Sequence, residues 1–348
     1  MSDTLTIIRP DDWHLHLRDG DAMRSVVPHT AERFGRAVIM PNLVPPVTTV
    51  AMAGDYHARI RAALPDAHPF TPLMALYLTP TTDRQTVIDA SRDERVIGIK
   101  WYPAGATTNS AHGVHDISAC MAALEAMAEY QLPLLIHGEV TDPDVDTFDR
   151  ETVFIDTILE PLLRRLPTLK LVLEHITTRQ GADFVANSGT NVGGTLTPQH
   201  LLLNRSAMFQ GGLRPHHYCL PILKRESHRE RLVEAAISGD PSFFLGTDSA
   251  PHSQQAKESS CGCAGIYSAH AGIELYAEVF EQADALDKLE GFASLHGPQF
   301  YGLAVNTDTI TLERTAWQVP DDYAIGDDRL IPFRAGGSIN WTLRTAHL

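Results

Sequence analysis

Eight short β-rich runs, each followed by a stretch long enough for a helix, constrain this chain more than any other feature. They are "DWHLHL" (12–17), "AVIMPN" (37–42), "PLMALYL" (72–78), "VIGIKWY" (96–102), "LPLLIHG" (132–138), "LKLVLEH" (169–175), "GGTLTP" (193–198) and "SFFLGTD" (242–248). Such alternation is the sequence form of βαβ units and a parallel sheet. Helices are expected at 47–64, 81–93, 116–131 and 150–166; "HDISACMAALEAMAEY" repeats apolar residues at i, i+3, i+4 and i+7. No Gly/Ser linker, charge block or internal repeat divides the chain. Its 348 residues, 43% hydrophobic, suffice for one large core. The expectation is α/β: a single closed (β/α)8 TIM barrel over 1–348, with the tail from about 305 as an appendage.

In such barrels the chemistry sits at the C-terminal ends of the strands. His14 and His16 fall near the end of the first run, Lys100 at the end of the fourth, His137 of the fifth, His175 of the sixth and Asp248 of the eighth. The His-x-His pair alone says little, because 17 histidines in this length produce roughly 0.8 such pairs by chance. Its company says more. Four imidazoles, a carboxylate and a lysine converging on one rim point to a metal centre. His14 and His16 alternate with Leu15, which sends both imidazoles to one face of the strand. Lysine repels a divalent cation, but nearby positive charge favours its neutral amine. That amine can take up carbon dioxide, and the resulting carbamate at Lys100 is a carboxylate able to bridge two metals.

The rest of the composition narrows the class. A formal charge of −15 with no basic run argues against a nucleic-acid surface, and an anionic substrate would need a local cationic pocket. Four cysteines make no disulfide framework. Cys261 and Cys263, in "ESSCGCAG", lack a second pair at matching spacing, so a tight loop is expected there rather than structural zinc. No apolar run reaches 18 residues and "MSDTLTIIRP" has no signal-peptide pattern, so the expectation is a cytoplasmic protein with no membrane partner.

Read in order, "RPDDWHLHLRDG", "MPNLVPPVTT", "KWYPAGATTNSAHGV", "PLLIHGEV", "EHITT", "TLTPQHL", "GGLRPHHYCLPILK", "FLGTDSAPH", "KESSCGCAG" and "GPQFYGL" resemble the dihydroorotases of the amidohydrolase superfamily, in particular the compact bacterial type. The resemblance implies a binuclear zinc site: His14, His16, carbamylated Lys100 and Asp248 on one metal, the carbamate with His137 and His175 on the other. Imidazole and carboxylate suit zinc, and two metals can share a hydroxide formed near neutral pH. It implies reversible cyclisation of N-carbamoyl-L-aspartate to dihydroorotate in pyrimidine biosynthesis. In the hydrolytic direction the bridging hydroxide attacks the ring carbonyl, while Asp248 takes its proton and passes it to the ring nitrogen. It also implies a homodimer.

For the substrate carboxylate the candidates are Arg18, Asn42 and His252, near the metal positions; the alternative for Arg18 is a surface salt bridge with Asp19 or Asp21. Backbone groups of Leu220 and Ala264 would hold the amide edges of the ring. The loop 103–113 leaves the strand of Lys100, and its Thr107 and Thr108 are expected to close on the substrate. Two positions depart from the family pattern, Trp101 where it has an aliphatic residue and Gly105 where it has Asn. They bear on loop rigidity and rate rather than on reaction type. A hydantoinase or dihydropyrimidinase would keep the metals but not Arg18, Asn42 and His252 together, and a non-catalytic scaffold would have lost ligands.

Overall fold

The computed structural model describes residues 3–344. After β1 (Thr4–Ile8), eight strands stand in sequence order in one parallel sheet: β2 (Asp12–Leu15), β3 (Arg36–Ile39), β4 (Thr71–Tyr77), β5 (Val96–Trp101), β6 (Leu134–Ile136), β7 (Leu171–Leu173), β8 (Val192–Leu196) and β9 (Phe243–Leu245). The sheet closes on itself just beyond β9. Leu15 bridges Ser249 in parallel, His16 N–H donates to Ser249 O at 3.1 Å, and Asp248 N–H donates to His14 O at 2.9 Å. All eight expected runs are strands. The ladders of β6, β7 and β9 stop short of His137, His175 and Asp248, which leaves those residues above the sheet at the barrel mouth, while His14 and Lys100 lie within β2 and β5 near their C-terminal ends.

The helices ring the barrel: α1 (Gly20–Arg33), α2 (Val50–Ala62), α3 (Arg84–Arg92), α4 (Met121–Tyr130), α5 (Arg150–Phe154), α6 (Glu160–Arg165), α7 (Arg179–Ala186), α8 (Pro198–Leu202), α9 (Glu226–Ile237), α10 (Gln254–Lys257), α11 (Gly272–Gln282) and α12 (His296–Tyr301). Side-chain caps start several of them. Thr49 accepts from Met52 N–H, Asp83 from Thr86 N–H and Thr178 from Gly181 N–H. The four expected helices are present. The one at 116–131 enters through a 3₁₀ turn, Ile117–Cys120, and a π turn at Ile155–Leu159 joins α5 to α6.

Both faces of the barrel strands are buried, which is why the runs read as nearly continuous apolar stretches. Ile39, Leu76, Ile99, Leu134, Leu173 and Leu245 face the helices, while Val38, Leu73, Ala75, Leu135, Val172 and Phe244 fill the lumen with Trp13. A register shift between Asp12 and Leu15 bulges β2 against β3. The extra residue lets Trp13 drop into the lumen while His14 stays at the mouth.

Helix α12 seals the lumen floor. Trp13, fully buried, stacks on Tyr301 with ring centroids 4.4 Å apart, and a Cβ at Gly297 would overlap the indole Nε1 and Cε2. The indole is wedged between Tyr301 and Phe244 and cannot retreat. Gly297→Ala is therefore expected to destabilise the fold by about 1–3 kcal/mol. Thermal unfolding checks this, and an unchanged midpoint would show that the floor can yield.

The tail does not stand apart. β10 (Thr309–Glu313) pairs antiparallel with β1 on one side and β15 (Thr342–Leu343) on the other, joining the two ends of the chain in one small sheet. Between them β11 (Trp317–Gln318) pairs with β14 (Ser338–Ile339), and β12 (Tyr323–Ile325) with β13 (Asp328–Leu330). Among the described residues no helix is long and apolar enough to cross a membrane.

Candidate metal centre and substrate cavity

The six rim residues converge. His14 lies within the bulge of β2 and His16 follows the strand, Lys100 is the penultimate residue of β5, His137 follows β6, His175 comes two residues after β7 and Asp248 three after β9. One ring nitrogen each of His14 and His16 and a carboxylate oxygen of Asp248 lie within 4.8 Å of one another. Asp248 Oδ1 is 3.4 Å from His14 Nε2 and 3.2 Å from His16 Nε2. Ring centroids are 4.9 Å apart for His14 and His175 and 4.8 Å for His137 and His175. Lys100 is fully buried with Nζ 5.3 Å from the centre of the Tyr102 ring.

The other nitrogen of three of these imidazoles is already engaged. His14 Nδ1 lies 2.8 Å from Glu174 Oε2, His16 Nδ1 2.9 Å from Asn42 Oδ1 and His137 Nε2 2.8 Å from Glu139 Oε2. Such contacts fix ring orientation and leave the remaining nitrogen to face the centre. His14 Nε2, His175 Nδ1 and Lys100 Nζ are buried without a hydrogen-bond partner. Buried polar atoms are normally satisfied, so three orphans around one point are what a cation-binding site looks like without its cation.

Burial also sets the protonation states. It holds His14, and more strongly His16 and His175, below the ordinary imidazole range, in the neutral form that can ligate a metal. Burial raises the Asp248 carboxyl. The Lys100 amine is pushed down to about 8, again by burial, with Glu174 and Asp248 opposing. Removal from water thus favours the neutral amine even against two carboxylates.

Arg18, His175 and Asp248 adopt left-handed backbone conformations, with φ of 62°, 40° and 46°. Non-glycine residues rarely do so, and such strain concentrates at functional sites. For His175 the consequence is direct. In a regular strand Glu174 and His175 would face opposite ways, whereas here Glu174 reaches His14 while the His175 ring packs against those of His14 and His137.

Beside this cluster opens a small cavity whose lining includes Arg18, Asn42, Thr107, Thr108, Leu220 and Ala264. Arg18 has no ion pair among the described residues: Asp19 pairs with Arg59 and Asp21 with Arg24. Its guanidinium is held from behind, Nε donating to Pro251 O at 3.1 Å and Nη2 to His252 Nε2 at 2.8 Å. Burial pushes His252 down to about 2, with Arg18 adding to the effect, so its ring is a neutral acceptor. His252 does not line the cavity. It orients the residue that does. Asn42, beyond its contact with His16, donates from Nδ2 to Thr108 O at 3.0 Å, and Thr108 Oγ1 donates to Ala264 O at 3.4 Å. The loop 103–113 is thus folded over the cavity, turning at Gly105 with φ of 80°.

Four residues escaped the sequence reading: Asp12, Tyr102, Glu139 and Glu174. Asp12 accepts from Thr247 N–H at 2.8 Å and Thr247 Oγ1 at 2.6 Å and from His14 N–H at 3.2 Å, tying the strand of the first two histidines to that of Asp248. Glu139 and Glu174 stand beside expected ligands within quoted motifs. Acidic residues next to histidines at strand ends were the available signal. Tyr102, one residue past the β5 strand, lines the cavity with its hydroxyl unpartnered.

Comparison with known proteins agrees with this geometry. The amidohydrolase family profile matches residues 5–335. The chain is 60% identical to a dihydroorotase of Methylobacillus flagellatus over 344 residues, covering 99% of this chain and 100% of that one. Among solved structures it resembles a dihydroorotase from Campylobacter jejuni, at 36% identity and TM-score 0.90 over 99% and 98% of the two chains. A dihydroorotase from Saccharomyces cerevisiae in complex with 5-fluoroorotic acid matches at 35% identity and TM-score 0.90, over 98% of each chain.

Proposed function

The chain belongs to the dihydroorotases of the amidohydrolase family, and from that membership we propose that it is a zinc-dependent enzyme interconverting N-carbamoyl-L-aspartate and dihydroorotate in pyrimidine biosynthesis. The observation that carries the reading is the unpaired guanidinium of Arg18 on the wall of a cavity that also holds the histidine and Asp248 cluster. A carboxylate clamp beside a metal-type donor set is what this substrate needs. A hydantoinase substrate has no carboxylate to occupy Arg18. The same reading makes the working species a cytoplasmic homodimer.

The orphaned nitrogens, the neutral imidazoles and Asp248 fit a pair of divalent ions. His14, His16 and Asp248 would hold one, His137 and His175 the other, with Lys100 as a carbamate shared between them. Bound there, the metals supply positive charge that polarises the amide carbonyl and lowers the pKa of water. The protein's own groups do the rest. Arg18 presents a planar fork to the substrate carboxylate, aimed by His252 and the Pro251 carbonyl. Backbone groups of Leu220 and Ala264 hold the ring's amide edges, and Thr107 and Thr108 cover the cavity and exclude water. The Asp248 carboxylate carries the proton, taking it from the attacking water and delivering it to the ring nitrogen, and the reverse in ring closure.

The direct test follows ultraviolet absorbance of dihydroorotate with purified protein. Turnover that a chelator abolishes and zinc restores is expected, and no turnover with added zinc would overturn the assignment. Arg18→Met is expected to raise KM for dihydroorotate, costing about a hundredfold in kcat/KM if two charge-assisted hydrogen bonds are lost. Unchanged steady-state kinetics would remove the clamp. The double variant Thr107→Ala, Thr108→Ala is expected to keep its fold and metal content yet lose at least about tenfold in kcat/KM in both directions. Near-normal rates would reduce the loop to a passive connection.

A further inference from the structure

Lys257, on the short helix α10, is 3% exposed, an uncommon setting for an ammonium. Its Nζ donates to three backbone carbonyls, Tyr218 O at 2.9 Å, Cys263 O at 2.9 Å and Gly265 O at 2.6 Å. Three donors meet three acceptors. Burial pushes its pKa down to about 8, so the ammonium form still prevails at neutral pH.

The carbonyls belong to two loops that arrive from different parts of the chain. Tyr218 precedes Leu220 by two residues, and Cys263 and Gly265 flank Ala264. Leu220, Ala264 and Gly265 all line the cavity. Besides the lysine, a backbone bond from Gly265 N–H to Tyr218 O at 3.0 Å joins the loops. The chain winds tightly here: Gly262 N–H donates to Ser259 O at 3.2 Å, Cys263 N–H to Ala256 O at 3.3 Å, and a Cβ on Gly262 would come 2.5 Å from Lys257 O. The "ESSCGCAG" segment therefore has work that needs no thiol chemistry: it wraps carbonyls around an ammonium.

We propose that Lys257 is the positioning residue of the ring-binding wall, locking the backbone of Leu220 and Ala264 in register for the amide edges of the substrate without touching it. This rests on the dihydroorotase reading above. Without the ammonium, three carbonyls of the wall lose their common donor and the two loops lose their main tie. Contacts to the ring edges exist in ground and transition states alike, so their loss raises KM and largely spares kcat. A lysine that merely stabilised the fold would give no such split.

The test compares two ligands by calorimetry on metal-loaded protein: orotate, which carries amide edges and a carboxylate, and succinate, which carries carboxylates and no ring. Lys257→Met should weaken orotate at least about tenfold and succinate less than about twofold, with KM for dihydroorotate rising at least about tenfold and kcat within about threefold. Lys257→Gln, shorter and uncharged but with two N–H donors, should fall between, and carries the comparison if the methionine variant does not fold. Equal weakening of both ligands, or unchanged orotate affinity in a folded variant, overturns the positioning role alone. Wild-type protein that neither binds orotate nor turns over dihydroorotate overturns the function and this assignment with it.

Discussion

Lys100→Ala is expected to lose at least about a thousandfold in turnover and most of its bound metal, and to recover part of both when short carboxylic acids are added. The physical case begins with an ammonium at 0% exposure whose Nζ has no hydrogen-bond partner. A buried, unpaired cation is costly, and such groups shed their charge. Burial already holds this amine near 8. A neutral amine adds to carbon dioxide, the new N–C bond forming as one proton leaves, and the product is an anion where an anion can be shared by two metals. In the alanine variant the space of the lost side chain admits acetate or propionate. Lys100→Met fills that space, so it should be equally inactive and resist rescue. The measurements are metal content after buffer exchange, initial rates with and without propionate, and the carbamate resonance in protein equilibrated with ¹³C-bicarbonate. An unmodified lysine in active, metal-loaded protein would overturn the carbamate.

The barrel was readable because every one of its strands is buried on both faces, which leaves a short apolar run that a polar residue terminates. The runs ending in Lys100, His137 and Asp248 show this, and a barrel places such ends on one rim. What stayed hidden depends on departures from regular geometry or on contacts distant in sequence. The bulge in β2 and the left-handed backbone at His175 break the alternation by which strand faces are read, so Glu174 as partner of His14 could not be inferred. The pairing of β1 with β10 joins residues some three hundred positions apart and has no local signature. His252 was assigned to the substrate from its place after Asp248; that its ring also meets Arg18 is a relation that only the packing of the loop after β9 against the end of β2 creates.

Asp248→Asn separates proton transfer from everything else the residue does. Asp248 sits at φ of 46°, a conformation that asparagine tolerates better than most residues, so the backbone should survive the change. Asparagine keeps a carbonyl oxygen in the place of the Oδ1 that lies 3.2 Å from His16 and 3.4 Å from His14, so metal content should fall little. What it cannot do is accept a proton and return it. Positioned acid/base groups contribute about 10²–10⁴ in rate, so kcat should drop by about three orders of magnitude in both directions. Orotate affinity, which in the proposed function rests on Arg18 and on the backbone of Leu220 and Ala264, should change by no more than a few fold. Asp248→Ala provides the contrast: it removes the ligand oxygen and places a β-carbon without a compensating polar group in a left-handed conformation, so metal binding and stability should suffer along with rate. A loss in kcat below about tenfold for the asparagine variant, at normal metal content, would mean that another group moves the proton, and the unpartnered hydroxyl of Tyr102 on the cavity wall would be the next to substitute.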